Sequence, residues 1–358
     1  FGNIYAMATI FSSVLLIWVG KKIDEYQIFY YSFFVIILLF LSSLFFSFIN
    51  SIFLLAIGIF LMRFSGQGLM SHTSTTTISR FFEKSRGKAL STIWFGLSSA
   101  EFILPVFVTY FFVIYSWRTV WQGIAIIIIL FLPIVIFNTI RSVKLESREK
   151  DQNPKINLKI KSWRRVEVIK DFRFYIVSLN MLAMPWVATG VFVYQSFITE
   201  SKMWSIYTIP KAFMVYSITS IITLFFSGFL VDKFTSRKLI PLMNIPLLFA
   251  MLVLFYNEQE ISAFIFLGLI GVSNGLANVL GSSTWAEIYG VKYIGSIKAL
   301  TTALMVFSTA FGTALFGALI DRGYDIENIA LIAGIYIIVS LVLLVSIRSK
   351  LEPVILKK

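Results

Sequence analysis

The chain has 358 residues, of which 58% are hydrophobic and only 14% charged. Soluble domains carry about 25% charged residues, so a soluble enzyme, a secreted disulfide scaffold and a disordered segment are all excluded. There is no cysteine and one histidine, His72, which removes thiolate chemistry and histidine-rich metal sites. The net charge of +13 suits the cytoplasmic loops of a membrane protein better than a nucleic-acid interface.

Eleven apolar segments follow in chain order, each near the roughly 20 residues that cross a bilayer. The first covers 3–20 and ends on Gly20-Lys21-Lys22-Ile23-Asp24. The second covers 28–49. The third, 52–79, contains Arg63, Gln67, Ser71 and His72, and the fourth, 89–115, contains Glu101. The fifth covers 119–140. A basic stretch with Pro154 then separates five spans from six, dividing the chain into 1–140, a linker at 141–172, and 173–358. Its run from Lys159 to Arg165 reads as a solvated linker or as a short amphipathic helix on anionic headgroups. The sixth span, 174–198, contains Asn180, Tyr194 and Gln195, and Pro185 and Gly190 are expected to interrupt it. The seventh, 206–230, contains Lys211, expected to snorkel, and leads into Asp232, Lys233 and Arg237. The eighth covers 239–256. The ninth, 261–286, places Asn274 and Asn278 on one face, with Gly268, Gly271, Gly275 and Gly281 allowing close helix approach. Spans at 293–320 and 328–347 complete the set.

Lysine and arginine fall in alternate loops, 26 on one side and three on the other, which assigns the first side to the cytoplasm. The two halves also echo each other. Gly20 to Asp24 matches Gly228 to Asp232 at an offset of 208, Gln67-Gly68-Leu69 matches Asn274-Gly275-Leu276 at 207, and Lys88-Ala89-Leu90 matches Lys298-Ala299-Leu300 at 210. This is the pattern of a parallel internal repeat. At that offset, 174–198 should have a partner before Phe1, so the expectation is a twelve-helix protein whose first helix is missing here.

Particular residues carry a family resemblance. Gly20-Lys21-Lys22-Ile23-Asp24 and Gly228-Phe229-Leu230-Val231-Asp232-Lys233, the latter followed by Arg237-Lys238, resemble the Gly-x-x-x-Asp loop signature of the major facilitator superfamily. Glu25 and Tyr26 depart from it where Arg and Gly are common. Arg63 with Gly66-Gln67-Gly68 is similar to that family's fourth-helix pattern, Arg86-Gly87-Lys88-Ala89 to the start of its fifth helix, and Trp117-Arg118 to the turn before its sixth. Ser71-His72-Thr73, Trp285-Ala286-Glu287-Ile288-Tyr289-Gly290 and Gly317-Ala318-Leu319-Ile320-Asp321 look like bacterial members related to monocarboxylate transporters. The Gly-x-x-x-Gly-Pro pattern of drug/proton antiporters is replaced by Gly96-Leu97-Ser98-Ser99-Ala100-Glu101.

The resemblance implies an all-α membrane protein of two pseudo-symmetric bundles, with eleven helices of an expected twelve. It implies a secondary transporter in the cell membrane, a monomer among lipids without a cofactor, its linker and C-terminus cytoplasmic. It would move a small organic anion such as a monocarboxylate by alternating access, coupled to protons. An exporter of small metabolites and a nontransporting receptor are the alternatives. Gly20, Asp24, Gly228, Asp232, Lys233 and Arg237 would act as conformational latches that never touch substrate.

The residues themselves give a complementary reading. Arg63 and Glu101 each lie about 18 Å into their helices at 1.5 Å per residue, close to the bilayer centre, where charge is costly. They read as an anion or proton-relay site, or as a structural ion pair. Gln67 and Ser71 continue a polar stripe from Arg63. His72 could carry a proton or simply bond a neighbouring helix. Asn180, Tyr194, Gln195, Asn274 and Asn278 could bind substrate or hold helices together. No phosphate-cradling loop and no Ser-His-Asp set occurs, so no enzyme is expected.

Overall fold

The computed structural model describes residues 2–82, 85–138 and 161–355, with the side chains of residues 2, 3, 101, 102, 105, 106 and 109 outside that description. In the first half, α1 (Gly2–Val19) tightens into a 3₁₀ turn (Gly20–Asp24) and is followed by α2 (Ile28–Ser47). α3 (Ile52–Met62), a π-helical stretch (Arg63–Met70) and α4 (Ser71–Phe81) form one continuous rod. α5 (Arg86–Ile114) and α6 (Trp117–Ile136) follow. A short α7 (Arg165–Ile169) leads into α8 (Phe172–Val193), α9 (Gln195–Ser201), α10 (Thr208–Phe234) and α11 (Ser236–Leu239). The second half closes with α12 (Ile245–Tyr256), α13 (Ile261–Tyr289), α14 (Ile294–Asp321) and α15 (Ile326–Ser346).

In hydrocarbon a backbone must satisfy its own hydrogen bonds, so apolar runs of this length become helices. Among the described residues ten segments are long and apolar enough to cross a membrane. The 29-residue α5 is an eleventh long helix among them. Polar side chains fix several starts. Ser51 accepts from the Leu54 amide at 3.2 Å, Ser116 from the Thr119 amide at 3.2 Å, and Asp171 from the Arg173 amide at 3.0 Å.

Helices in lipid gain little from apolar burial and associate through close packing and polar contacts. The α10–α13 pair shows both. A Cβ at Gly271 would stand 2.3 Å from the Tyr216 carbonyl, and one at Gly275 2.6 Å from the Ser220 carbonyl. Asn274 Nδ2 donates to Ser220 Oγ between them at 3.0 Å. The expected small-residue contact does not extend to Gly281, where a Cβ would meet nothing within 4 Å. Across the halves, α5 packs mainly on α10 and α13, while α14 packs on α1 and α4.

Two local expectations need correction. Pro185 and Gly190 do not interrupt their helix: α8 runs through both, and the break falls at Tyr194, with φ −103° and ψ 27°. The turn before Pro185 is held by neighbours. Tyr336 OH, Asn244 Nδ2 and Ser308 Oγ donate to the carbonyls of Leu179, Asn180 and Leu182 at 2.8, 2.6 and 3.0 Å. Gly190 serves packing instead, since a Cβ there would lie 2.4 Å from the Phe316 ring. The second correction concerns the linker. Residues 161–164 do not form a surface helix: Lys161 N donates to the Val354 carbonyl at 2.8 Å and Trp163 N to that of Tyr289 at 2.9 Å. Lys159, Ile160 and most of the 141–172 stretch lie outside the described residues.

Candidate functional site

Two seams join the halves at the end of the molecule where α1, α4, α10 and α13 finish. In the first, the Asp24 carboxylate reaches across to the start of α14. It accepts from the Gly295 amide at 3.0 Å and the Ser296 amide at 2.6 Å. In the second, Asp232 reaches back to the start of α5, accepting from the Gly87 amide at 2.7 Å and the Lys88 amide at 3.2 Å. Each carboxylate therefore satisfies two orphan donors at a helix N-terminus and sits at the positive end of its dipole. Both members repeat at 208 residues: Asp24 with Asp232, and Gly87 with Gly295. That register is two residues off the offset of 210 suggested by the Lys-Ala-Leu match.

Only a residue without a side chain fits at these contacts. A Cβ on Gly295 would be 2.3 Å from Ile23 Cγ2, and one on Gly87 2.3 Å from the Gly228 carbonyl. Gly20 and Gly228 sit one turn before the aspartates. Cβ atoms there would be 2.8 Å from Ala299 Cβ and 2.6 Å from Ser91 Oγ. Arg80 pairs with Asp24 from within the first half, both side chains 11% exposed. His72 is fully buried behind this seam, its Nε2 2.9 Å from the Gly20 carbonyl. Lys233 and Arg237 stay within the second half. The Lys233 ammonium lies 5.2 Å from the Phe234 ring, and Arg237 pairs with Glu352 at 2.5 Å.

A second polar group lies in the rod of α3 and α4. Arg63 opens the π-helical stretch, a backbone form frequent at functional sites. Its guanidinium stacks 4.5 Å from the Tyr5 ring, donates from Nε to Thr9 Oγ1 at 3.3 Å, and donates from Nη1 to Gln67 Oε1. Gln67 thus joins Arg63 as expected. Ser71, the first residue of α4, is half-buried, and its carbonyl accepts from Thr75 Oγ1 at 2.8 Å. Among the described residues no carboxylate lies within ion-pair distance of Arg63. Glu101 is midway along α5, but its side chain lies outside the described residues.

The sequence profile of the Major Facilitator Superfamily matches residues 1–198 and again 175–357. The chain belongs to the Major Facilitator Superfamily. Among solved structures, it is similar to the crystal structure of a bacterial homologue of the iron transporter ferroportin in an outward-facing state. The two are 12% identical, with a TM-score of 0.66, over 97% of this chain and 89% of the other. At that identity the likeness concerns the fold alone. No curated protein matches the sequence.

The other residues singled out from the sequence are dispersed through this superfamily fold. Asn180 is fully buried on α8, where its carbonyl accepts from Asn244. Tyr194 ends α8 and donates from its hydroxyl to the Thr313 carbonyl of α14 at 3.1 Å. Gln195 is exposed just beyond it. Asn274 bonds α10, as above, and Asn278 is half-buried one turn further along α13. Lys211 is exposed near the start of α10. Sequence reasoning missed the donors opposite the two aspartates, because backbone amides carry no residue signature. It also missed Tyr5 and Thr9, which precede any motif, and the capping role of Glu287. Glu287 accepts from the Ser236 and Arg237 amides at 2.9 and 3.1 Å and anchors α11.

Proposed function

We propose that this membrane transporter carries a small organic anion, monocarboxylates being the first class to test, by alternating access. The observation that carries the reading is Arg63: a guanidinium deep in a span, oriented by Tyr5, Thr9 and Gln67, and opposed by no carboxylate among the described residues. A charge so placed is costly unless it is used, and a planar guanidinium suits a carboxylate ligand. Glu101, midway along the adjacent α5, is the proposed proton-carrying carboxylate.

The two seams are the proposed gate. The 26-to-3 charge asymmetry supports a cytoplasmic position for them. With both closed, the Arg63 site would open to the opposite face, the state in which the ferroportin homologue was captured. Asp24 and Asp232 would then set the equilibrium between states without contacting substrate.

Counterflow of labelled small carboxylates in proteoliposomes tests the proposal. Uptake is expected with the native protein and is expected to vanish in Arg63→Ala at equal membrane content. Normal counterflow by Arg63→Ala, or transport of neutral solutes alone, would overturn it.

A further inference from the structure

α14 carries a lysine one turn into the first seam. Lys298 is 3% exposed, and its Nζ donates to Ser79 Oγ of α4, in the opposite half, at 3.1 Å. Ser79 Oγ in turn donates to the Thr75 carbonyl at 2.7 Å and lies 3.4 Å from that of Ser282. Arg86 Nε donates to the Ser79 carbonyl at 3.2 Å. The other ionisable groups of this seam are His72 and Arg80 on α4, Asp24 beside Arg80, and Glu287, which is held to the start of α11. Among the described residues no carboxylate lies within ion-pair distance of Lys298. Its hydrogen-bond partner among the described residues is a neutral hydroxyl, and it sits at the positive end of a helix. Burial removes its hydration, and the described residues supply no counter-charge.

The internal repeat provides a comparison within the same molecule. At the offset of 208, the counterpart of Lys298 is Leu90, fully buried in the second seam against Leu224, Val231 and Val279. The counterpart of Ser79 is Glu287. The second seam thus holds an apolar residue at the lysine position, and the second half holds a carboxylate at the serine position. The first seam has neither.

We propose that Lys298 is a counter-latch: a cation buried at a cost when the Asp24 seam closes and rehydrated when it opens, so that it offsets the aspartate contacts and keeps the gate reversible. This inference rests on the alternating-access reading above. Replacing the lysine with its repeat counterpart should therefore favour the closed seam, whereas a lysine that merely held the halves together would do the opposite.

The chain has no cysteine, so reporter pairs can be introduced directly. Spin labels at Gln27→Cys and Lys292→Cys, both exposed at this end, read the seam width. An Asp24→Ala background populates the open form. In that background Lys298→Leu should lower the open-to-closed ratio at least tenfold. Ser79→Glu, which supplies the missing counter-charge without altering the lysine, should lower it in the same direction. An unchanged or higher open fraction in either variant would overturn the counter-latch while leaving the gate intact. If Asp24→Ala fails to widen the seam at all, the gate reading falls and the counter-latch with it.

Discussion

Removing the Asp24 carboxylate is the sharpest perturbation of the proposed gate. Asp24→Ala deletes the acceptors for the Gly295 and Ser296 amides, at 3.0 and 2.6 Å. The Arg80 pair lies within one half and is kept when the halves part, so only the cross-seam contacts shift the equilibrium. Hydrogen bonds to a charged group contribute about 1.5–3 kcal/mol net, and loss of a helix cap costs about 1 kcal/mol. Taking about 2 kcal/mol for the pair gives roughly a 30-fold rise in the open-to-closed ratio. Asp232→Ala should do the same through Gly87 and Lys88, and the distant pair should add to about 4 kcal/mol, or roughly 10³-fold. Pulsed electron-spin distance measurements across the seam, in nanodiscs, read these populations. An unchanged distribution in the double variant would refute the reasoning, as would a larger effect from Arg80→Ala than from Asp24→Ala.

Four further outcomes follow from the same geometry. Gly295→Ala and Gly87→Ala place a methyl 2.3 Å from Ile23 Cγ2 and from the Gly228 carbonyl, so each should raise the open fraction in the same distance assay. Tyr5→Ala removes the ring under Arg63; a cation–π contact of about 0.5–2 kcal/mol predicts a roughly 2- to 30-fold rise in KM for counterflow. Gly190→Ala drives a methyl into the Phe316 ring and should cost about 1–3 kcal/mol by overpacking, read as a lower Tm and recovered by Phe316→Leu. Hydrogen bonds from Lys161 and the Arg164 amide hold the exposed Glu167 carboxyl below its ordinary value of 4.5. A depressed folded-state value means this contact is present above 4.5 and lost as pH falls through the lower folded value, so amide protection over 161–170, taken relative to intrinsic exchange, should fall on acidification and be lower at neutral pH in Glu167→Gln.

The spans were legible because hydrocarbon leaves an apolar chain one option; the ten segments able to cross a membrane, and the long helix α5, all fall on apolar runs read from the sequence. Asp24 and Asp232 were legible as well, since Gly20–Asp24 and Gly228–Asp232 repeat at one offset. Their donors were not. Gly87 and Gly295 contribute an amide and the lack of a Cβ, and neither shows until the helices are docked. The π-helical stretch escaped because its shifted backbone bonding leaves no side-chain period, although Gly66 and Gly68 fall within it. Pro185 misled for a related reason: a proline signals a lost backbone bond, while the donors from Tyr336, Asn244 and Ser308 that support the turn before it come from distant sequence. Lys298 is one of the 26 basic residues assigned to the cytoplasmic side, and its hydrogen bond to Ser79, more than 200 residues away, leaves no mark in the sequence.

The proposed transport cycle needs the two ends of the molecule to open in alternation. Label pairs at Gln27 and Lys292 report the seam end, and pairs at Ser51 and Glu260, both exposed, report the other. Asp24→Ala with Asp232→Ala should lengthen the first distance and shorten the second. If both distances lengthen together, or the far pair does not respond while the seam opens, the two halves do not rock about a central site and the account is wrong.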